Sequence, residues 1–91
     1  MSEAKFTSGP WSVWNQFTVV IGDDVNSRVS AQNTGGVDSS VIEREANASL
    51  IATAPEMYRE LKELSGIINR MGASSASDRI ERLLSKARGE L

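Results

Sequence analysis

The chain has many serine hydroxyls but few side chains that would activate one as a nucleophile. It contains no histidine and no cysteine, so the commonest general base and every thiolate are missing. Ser85 and Lys86 come nearest to a serine–lysine pair, yet adjacent residues on a helix do not face each other. The residue types therefore argue against nucleophilic catalysis, which needs a nucleophile beside a base.

Acid–base or metal chemistry would have to come from carboxylates. Asp23 and Asp24 are adjacent in a predicted turn, where aspartate usually organises the backbone. Glu43 and Glu45 lie two residues apart on a predicted helix and point to different faces. The sequence has neither a phosphate-binding loop nor a complete calcium-binding loop. We therefore expect a protein that is not an enzyme and that uses no cofactor or metal.

Two tryptophans on one predicted strand have different expected roles. Trp11 follows Gly9-Pro10 and is expected to fill the core between sheet and helices. Trp14 lies on the opposite face, together with Val20, and tryptophan is enriched where proteins bind each other. The predicted protein-binding residues are Trp14, Val20, Asp23, Asp24 and Asp38.

Length and charge limit the class of protein. With 91 residues and a net charge of −2, we expect one domain over 1–91 and no direct contact with nucleic acid. The expected parts are an N-terminal arm over 1–10, strands over 11–33 and helices over 40–91. Because no apolar run approaches the roughly 18 residues of a membrane span and no signal peptide is evident, we expect a cytoplasmic protein of the host cell.

The first third of the chain has the period-two alternation of a half-buried sheet. The expected fold class is α+β, with a three-stranded antiparallel meander over about 11–15, 17–22 and 27–32. Three α-helices are expected to follow. The first begins at a capping box of Ser40 and Glu43, and it ends at Pro55, where a second helix begins. Gly72 is expected to end that second helix.

The last two predicted helices form a hairpin. Its expected seam is a line of apolar residues spaced by four and three, which is a coiled-coil pattern; Met57, Leu61, Leu64, Ile68 and Met71 make up this line. The third helix is expected to be capped by Ser75 or Ser77, with Asp78 in its first turn, and to contribute Ile80, Leu84, Ala87 and Leu91. We expect the helices to support a homodimer.

Two phrases carry a resemblance to known proteins. Lys5–Trp11 reads KFTSGPW, and residues 45–57 read EANASLIATAPEM. The chain resembles small bacteriophage and prophage accessory proteins of the types FTPGPW and EANARLIAAAPEL, some of which are described as Ead-like. Ser8 and Tyr58 depart from the pattern, without consequence for the fold. The resemblance implies a phage protein of the anti-defence kind, with structural roles for the two phrases and functional residues elsewhere, such as the loops over 22–39.

Three functions of different classes are open on this sequence. The first is a protein that inhibits a bacterial host defence component, such as a CRISPR subunit, by covering a basic surface with its acidic first half. The second is a homo-oligomeric sponge for a nucleotide signal, in which Trp14 stacks on the base while Arg28 or Arg44 holds the phosphate. The third is a structural module that assembles through its helices.

Overall fold

The computed structural model describes residues 5–24, 26–32, 34 and 40–90. Three strands, β1 (Trp11–Asn15), β2 (Thr18–Ile21) and β3 (Arg28–Ser30), precede two helices, α1 (Val41–Arg70) and α2 (Ser74–Ala87). This order confirms the α+β class and the three predicted strands. In these described ranges, neither helix is long and apolar enough to cross a bilayer.

The chain divides into two compact units. We call Thr7–Pro55 the sheet unit, and Met1–Phe6 together with Glu56–Leu91 the hairpin unit. The helix α1 contributes its first half to the sheet unit and its second half to the hairpin unit.

The three strands pair antiparallel in the order β1-β2-β3. Val13 lies opposite Val19, and Val19 lies opposite Val29, so these valines share one face of the sheet, as the alternation predicts. The register shifts between Val13 and Asn15, which is the signature of a β-bulge. The sheet is therefore regular except beside Trp14.

The core of the sheet unit lies between the valine face and the first half of α1. Val19, Ala31 and Ala48 are completely buried, and four partly buried residues pack around them: Trp11, Ile21, Ile51 and Ala52. Trp11 thus joins the core as predicted, while its indole Nε1 donates a hydrogen bond to the Thr7 carbonyl at 3.1 Å.

The prediction of three helices is wrong, because α1 continues through Pro55. Its start is as predicted: the Glu43 amide donates to the Ser40 hydroxyl at 3.0 Å. A proline inside a helix lacks an N–H and costs roughly 3 kcal/mol. Here Ile51 and Ala52, just ahead of it, are held against the sheet core, and the Pro55 ring lies against Gly9, where an added Cβ would come within 3.1 Å. Tertiary packing overrides the local preference to stop.

The hairpin unit begins its reversal at Gly72, which has a φ of 88°. The Ala73 amide donates to the Ile68 carbonyl at 3.2 Å, so the predicted stop of α1 at this glycine is confirmed. The start of α2 differs from expectation: Ala73 occupies its N-cap position without a side-chain hydrogen bond, and the first turn has no acidic residue. Ser77 is no cap because it is buried inside α2.

The seam of the hairpin is centred on serines instead of on the predicted apolar line. Ser65 and Ser77 are both buried, and their hydroxyl oxygens lie 3.0 Å apart. The Ser65 hydroxyl is also 2.9 Å from Glu81 Oε1. The two buried hydroxyl groups satisfy each other's hydrogen-bonding capacity. Of the predicted line, Leu61 and Ile68 are half-buried, whereas Met57, Leu64 and Met71 are exposed, so the seam is turned away from these three residues.

Arg88 closes the far end of the hairpin. Its guanidinium donates to the Tyr58 hydroxyl at 3.1 Å and to Ser85 Oγ at 3.0 Å, and it forms an ion pair with Glu90 at 3.1 Å. The Phe6 ring meets the Tyr58 ring edge to face, with 5.0 Å between centroids. The Glu90 carboxylate, followed by the Tyr58 hydroxyl, raises the pKa of Arg88 above its ordinary value, so the guanidinium is charged at every physiological pH.

Candidate functional site

The most exposed aromatic feature of the sheet unit is Trp14. The β-bulge leaves this residue out of the pairing between Val13 and Asn15, and the indole is 61% exposed. The Arg28 guanidinium lies over the ring, 5.1 Å from its centroid. A cation in this position is attracted by the electron-rich face of the ring. We refer to these two residues as the Trp14–Arg28 pair.

Val20 differs from its predicted role. It lies opposite Ser12 on one side and Arg28 on the other, so it is on the same sheet face as the Trp14–Arg28 pair. However, Val20 is only 8% exposed, because it belongs to the central strand and has neighbours on both sides. The expectation that Val20 extends an exposed apolar surface is therefore wrong, and the residue lies beneath that surface.

The two aspartates lie in the turn between β2 and β3, at the other end of the sheet from Trp14. Four residues of β2 separate the turns, a length of about 13 Å. Asp24 organises its own turn: its Oδ1 accepts from the Asn26 amide at 2.9 Å, and its carbonyl accepts from the Ser27 amide at 2.9 Å. Asp23 is exposed beside it. Asp38, the remaining predicted binding residue, lies outside the described residues.

The residues predicted to hold a nucleotide are not brought together. Arg28 faces Trp14, whereas Arg44 belongs to α1 and lies over the Phe17 ring, 5.9 Å from its centroid. Because α1 packs on the valine face of the sheet, Arg44 and the Trp14–Arg28 pair are on opposite faces. A single small ligand cannot bridge them.

Two residues of the EANASLIATAPEM phrase make structural contacts. Glu45 Oε1 accepts a hydrogen bond from Gln16 Nε2 at 2.7 Å, which fixes the β1–β2 turn to α1. Asn47 Nδ2 donates to Thr34 Oγ1 at 2.7 Å and so anchors the segment that follows β3. On the sheet face opposite the helix, Trp14 is exposed to a partner.

Sequence reasoning missed two features. It gave Arg28 only a phosphate-binding role. The pairing of a three-stranded meander already places Arg28 of β3 and Trp14 of β1 on the same sheet face, on either side of β2. It also predicted burial for Met57 and Leu64, which the serine seam leaves exposed. Among the described residues, no group of three or more acidic side chains is placed to hold a metal ion.

The whole chain, residues 1–91, matches the family model described as Salmonella phage P22 protein Y8K6. The chain belongs to this phage protein family. This confirms the part of the resemblance that pointed to small phage proteins, and the family description names no activity, ligand or partner. Neither a curated protein nor a solved structure matches the chain.

Proposed function

We propose that this phage protein is a non-enzymatic accessory protein that binds a bacterial host protein and inhibits it. We further propose that the target is a component of a host defence system, such as a CRISPR subunit. The single observation that supports binding is the Trp14–Arg28 pair, a large aromatic and a cation exposed together on a sheet face. Tryptophan and arginine are the residue types that most often dominate binding energy at interfaces.

The local structure of the pair favours recognition of a protein. Trp14 is held on a strand, and the stacked Arg28 limits the freedom of both side chains before a partner arrives. Ordering long side chains costs about 0.5–1.5 kcal/mol each on binding, so a surface that is ordered in advance binds more tightly.

The family supports the choice of partner. The chain belongs to a phage protein family, and phages multiply inside bacterial cells, so we propose a host protein as the partner. The exposed Asp23 adds negative charge at the far end of the same unit, and a basic target surface would be drawn to it. Proteins that handle nucleic acid, defence nucleases among them, present such basic surfaces.

The test is affinity capture from a bacterial host lysate, with the bound proteins identified by mass spectrometry. We expect one host protein in stoichiometric amount with the wild-type chain and a reduction of at least about tenfold, equal to 1.4 kcal/mol, with Trp14→Ala. Val13→Ala, which alters an exposed residue on the valine face, is the matched control and should capture normally. Equal capture by Trp14→Ala and the wild type would contradict the proposal.

A second measurement separates binding from inhibition. Expression of the wild-type chain should raise phage plating on a host with an active defence system, and Trp14→Ala should abolish the effect. Capture that depends on Trp14 without any change in plating would support a binding protein and refute the defence role.

The nucleotide sponge is a weaker proposal on this geometry. Arg28 itself covers a face of the Trp14 ring on which a base would stack, and Arg44 is on the other side of the sheet. Titration calorimetry with cyclic nucleotides is expected to give no heat of binding. Heat that disappears in Trp14→Ala would instead revive the sponge.

A further inference from the structure

The hairpin unit has an exposed apolar surface that is separate from the Trp14–Arg28 pair. Its residues are between 41% exposed, for Met57, and 77% exposed, for Met71. We call this surface the hairpin face and define it as Met57, Leu64, Ile67, Met71 and Leu83. Five large apolar side chains exposed on so small a unit indicate a binding surface.

Four residues of the hairpin face form a continuous line along α1. Met57, Leu64 and Met71 follow each other at intervals of seven residues, and Ile67 lies between the last two. Residues at this spacing lie on one side of a helix and form the contact line when helices pack at a shallow angle. The seam of the hairpin follows a neighbouring line of α1, on which Ser65 is buried and Leu61 and Ile68 are half-buried.

Leu83 of α2 lies on the same side of the hairpin as this line. Leu64 immediately precedes the buried Ser65, and Leu83 immediately precedes the buried Leu84. Each residue turns a helix by about 100°, and in two antiparallel helices the same step from the seam leads to the same side. The contacts of Ser65 with Ser77 and of Tyr58 with Arg88 establish that α1 and α2 are antiparallel.

The charges beside the hairpin face are divided between the two helices. Glu60 lies between Met57 and Leu64 on α1, three residues after one and four before the other. Arg79 and Lys86 lie four before and three after Leu83 on α2, and all three charged side chains are exposed. The face therefore has an acidic edge on α1 and a basic edge on α2. Among the described residues, no ion pair uses these three side chains.

We propose that the hairpin face binds a second copy of this chain, in an antiparallel four-helix bundle with a two-fold axis parallel to the helices. Such an axis sets α1 of one copy against α2 of the other, so that each acidic edge meets a basic edge. The contacts of Ser65 with Ser77 and of Tyr58 with Arg88 set the register of the two helices, and by it Glu60 lies within about one helical turn of the level of Lys86 of the partner subunit. This self-complementarity of charge, absent in a surface of one sign, favours a second copy over another occupant.

The first test is molar mass by light scattering and sedimentation over about 1–100 μM, a range that brackets a micromolar Kd. We expect the wild type to reach twice the chain mass of 9.9 kDa. Leu64→Glu should raise the dimer Kd by more than about tenfold while circular dichroism shows the helices intact. Ile42→Glu changes an exposed apolar residue of the same helix outside the hairpin face and should remain dimeric.

The second test is a charge exchange. Glu60→Lys alone and Lys86→Glu alone should each weaken the dimer, and the two together should restore it, because the pair is re-formed across the axis. A monomeric wild type, a dimeric Leu64→Glu or a double variant weaker than both single variants would overturn the proposal. A monomer whose Leu64 is needed to capture a host protein would show that another protein covers the face. Failure here leaves the role of Trp14 untouched, since the two surfaces are tested by different variants.

Discussion

The sheet unit and the hairpin unit fill their interiors by different means. In the sheet unit the centre is apolar and built from small residues, with Val19, Ala31 and Ala48 completely buried. In the hairpin unit the centre is polar, since Ser65 and Ser77 are buried and bonded to each other, with Leu84 as the large buried side chain. The two units thus differ in the kind of side chain that is buried at their centres.

This difference accounts for the two candidate binding surfaces. On the sheet, one face takes the helix and the opposite face retains Trp14. On the hairpin, the serine seam brings the helices together and turns Met57 and Leu64 outward.

Leu84→Ala should have the largest effect on stability. Removal of a fully buried leucine leaves a cavity and costs about 2–5 kcal/mol, seen as a lower free energy of unfolding in urea at every protein concentration. Leu83→Ala, one residue earlier and exposed, is the matched control, and its effect should fade when the protein is diluted below the dimer Kd. A small effect of Leu84→Ala would mean that the hairpin owes its stability to the serines.

Val19→Ala tests the apolar core in the same way. Burying a valine is worth about 1.5–3 kcal/mol, so a loss somewhat below that of Leu84→Ala is expected from urea unfolding. Val29→Ala, on the same face but exposed at an edge strand, should cost clearly less. Equal losses at the two positions would show that the helix covers the edge strand as well.

Ser65→Ala tests the polar seam. The change removes the hydroxyl that contacts Ser77 and donates to the Glu81 carboxylate, while the Ser65 carbonyl still accepts from Ser77 at 3.3 Å. A loss of about 1–3 kcal/mol is expected, chiefly from the bond to the charged Glu81. The double variant with Ser77→Ala should recover part of that loss, because replacing both partners with apolar groups can be nearly neutral. Thermal unfolding of the two single variants and the double variant decides this, and strictly additive losses would argue against a direct hydrogen bond.

Ser40→Ala should have the smallest effect of the four. Loss of the N-cap hydroxyl that accepts from the Glu43 amide costs about 1 kcal/mol, measured as a modest fall in Tm. Ser40→Asp supplies another acceptor and should restore the wild-type value. No change in Ser40→Ala would indicate that the sheet contacts of α1 hold this end without its cap.

Local signals gave reliable predictions where packing agrees with them. The alternation of Val13, Val19 and Val29 predicts the meander, Ser40 predicts the start of α1, and Gly72 predicts its end. The predicted helix end at Pro55 is wrong, because contacts with Gly9 and with the neighbouring sheet core outweigh the local cost of a proline inside a helix. Such contacts join residues far apart in sequence and leave no local pattern.

The candidate site was predictable in part for the same reason. Trp14 has the right parity for the outer face, and it is exposed there. The same alternation places Val20 on this face, but alternation alone does not show that a residue of the central strand is buried by the side chains of both neighbouring strands. The predicted seam is right for Leu61 and Ile68, which are half-buried, and wrong for Met57 and Leu64, because alternation of apolar residues could not reveal that the polar Ser65 is buried against Ser77.

The two tryptophans allow binding to the sheet unit to be followed by intrinsic fluorescence. Trp11 is half-buried and hydrogen-bonded, whereas Trp14 is in water beside a cation. In Trp11→Phe the remaining emission would come from Trp14 alone and would be red-shifted. A partner that covers Trp14 would move this emission to shorter wavelength and shield it from iodide, so the fluorescence of this variant reports binding at the outer sheet face without a label.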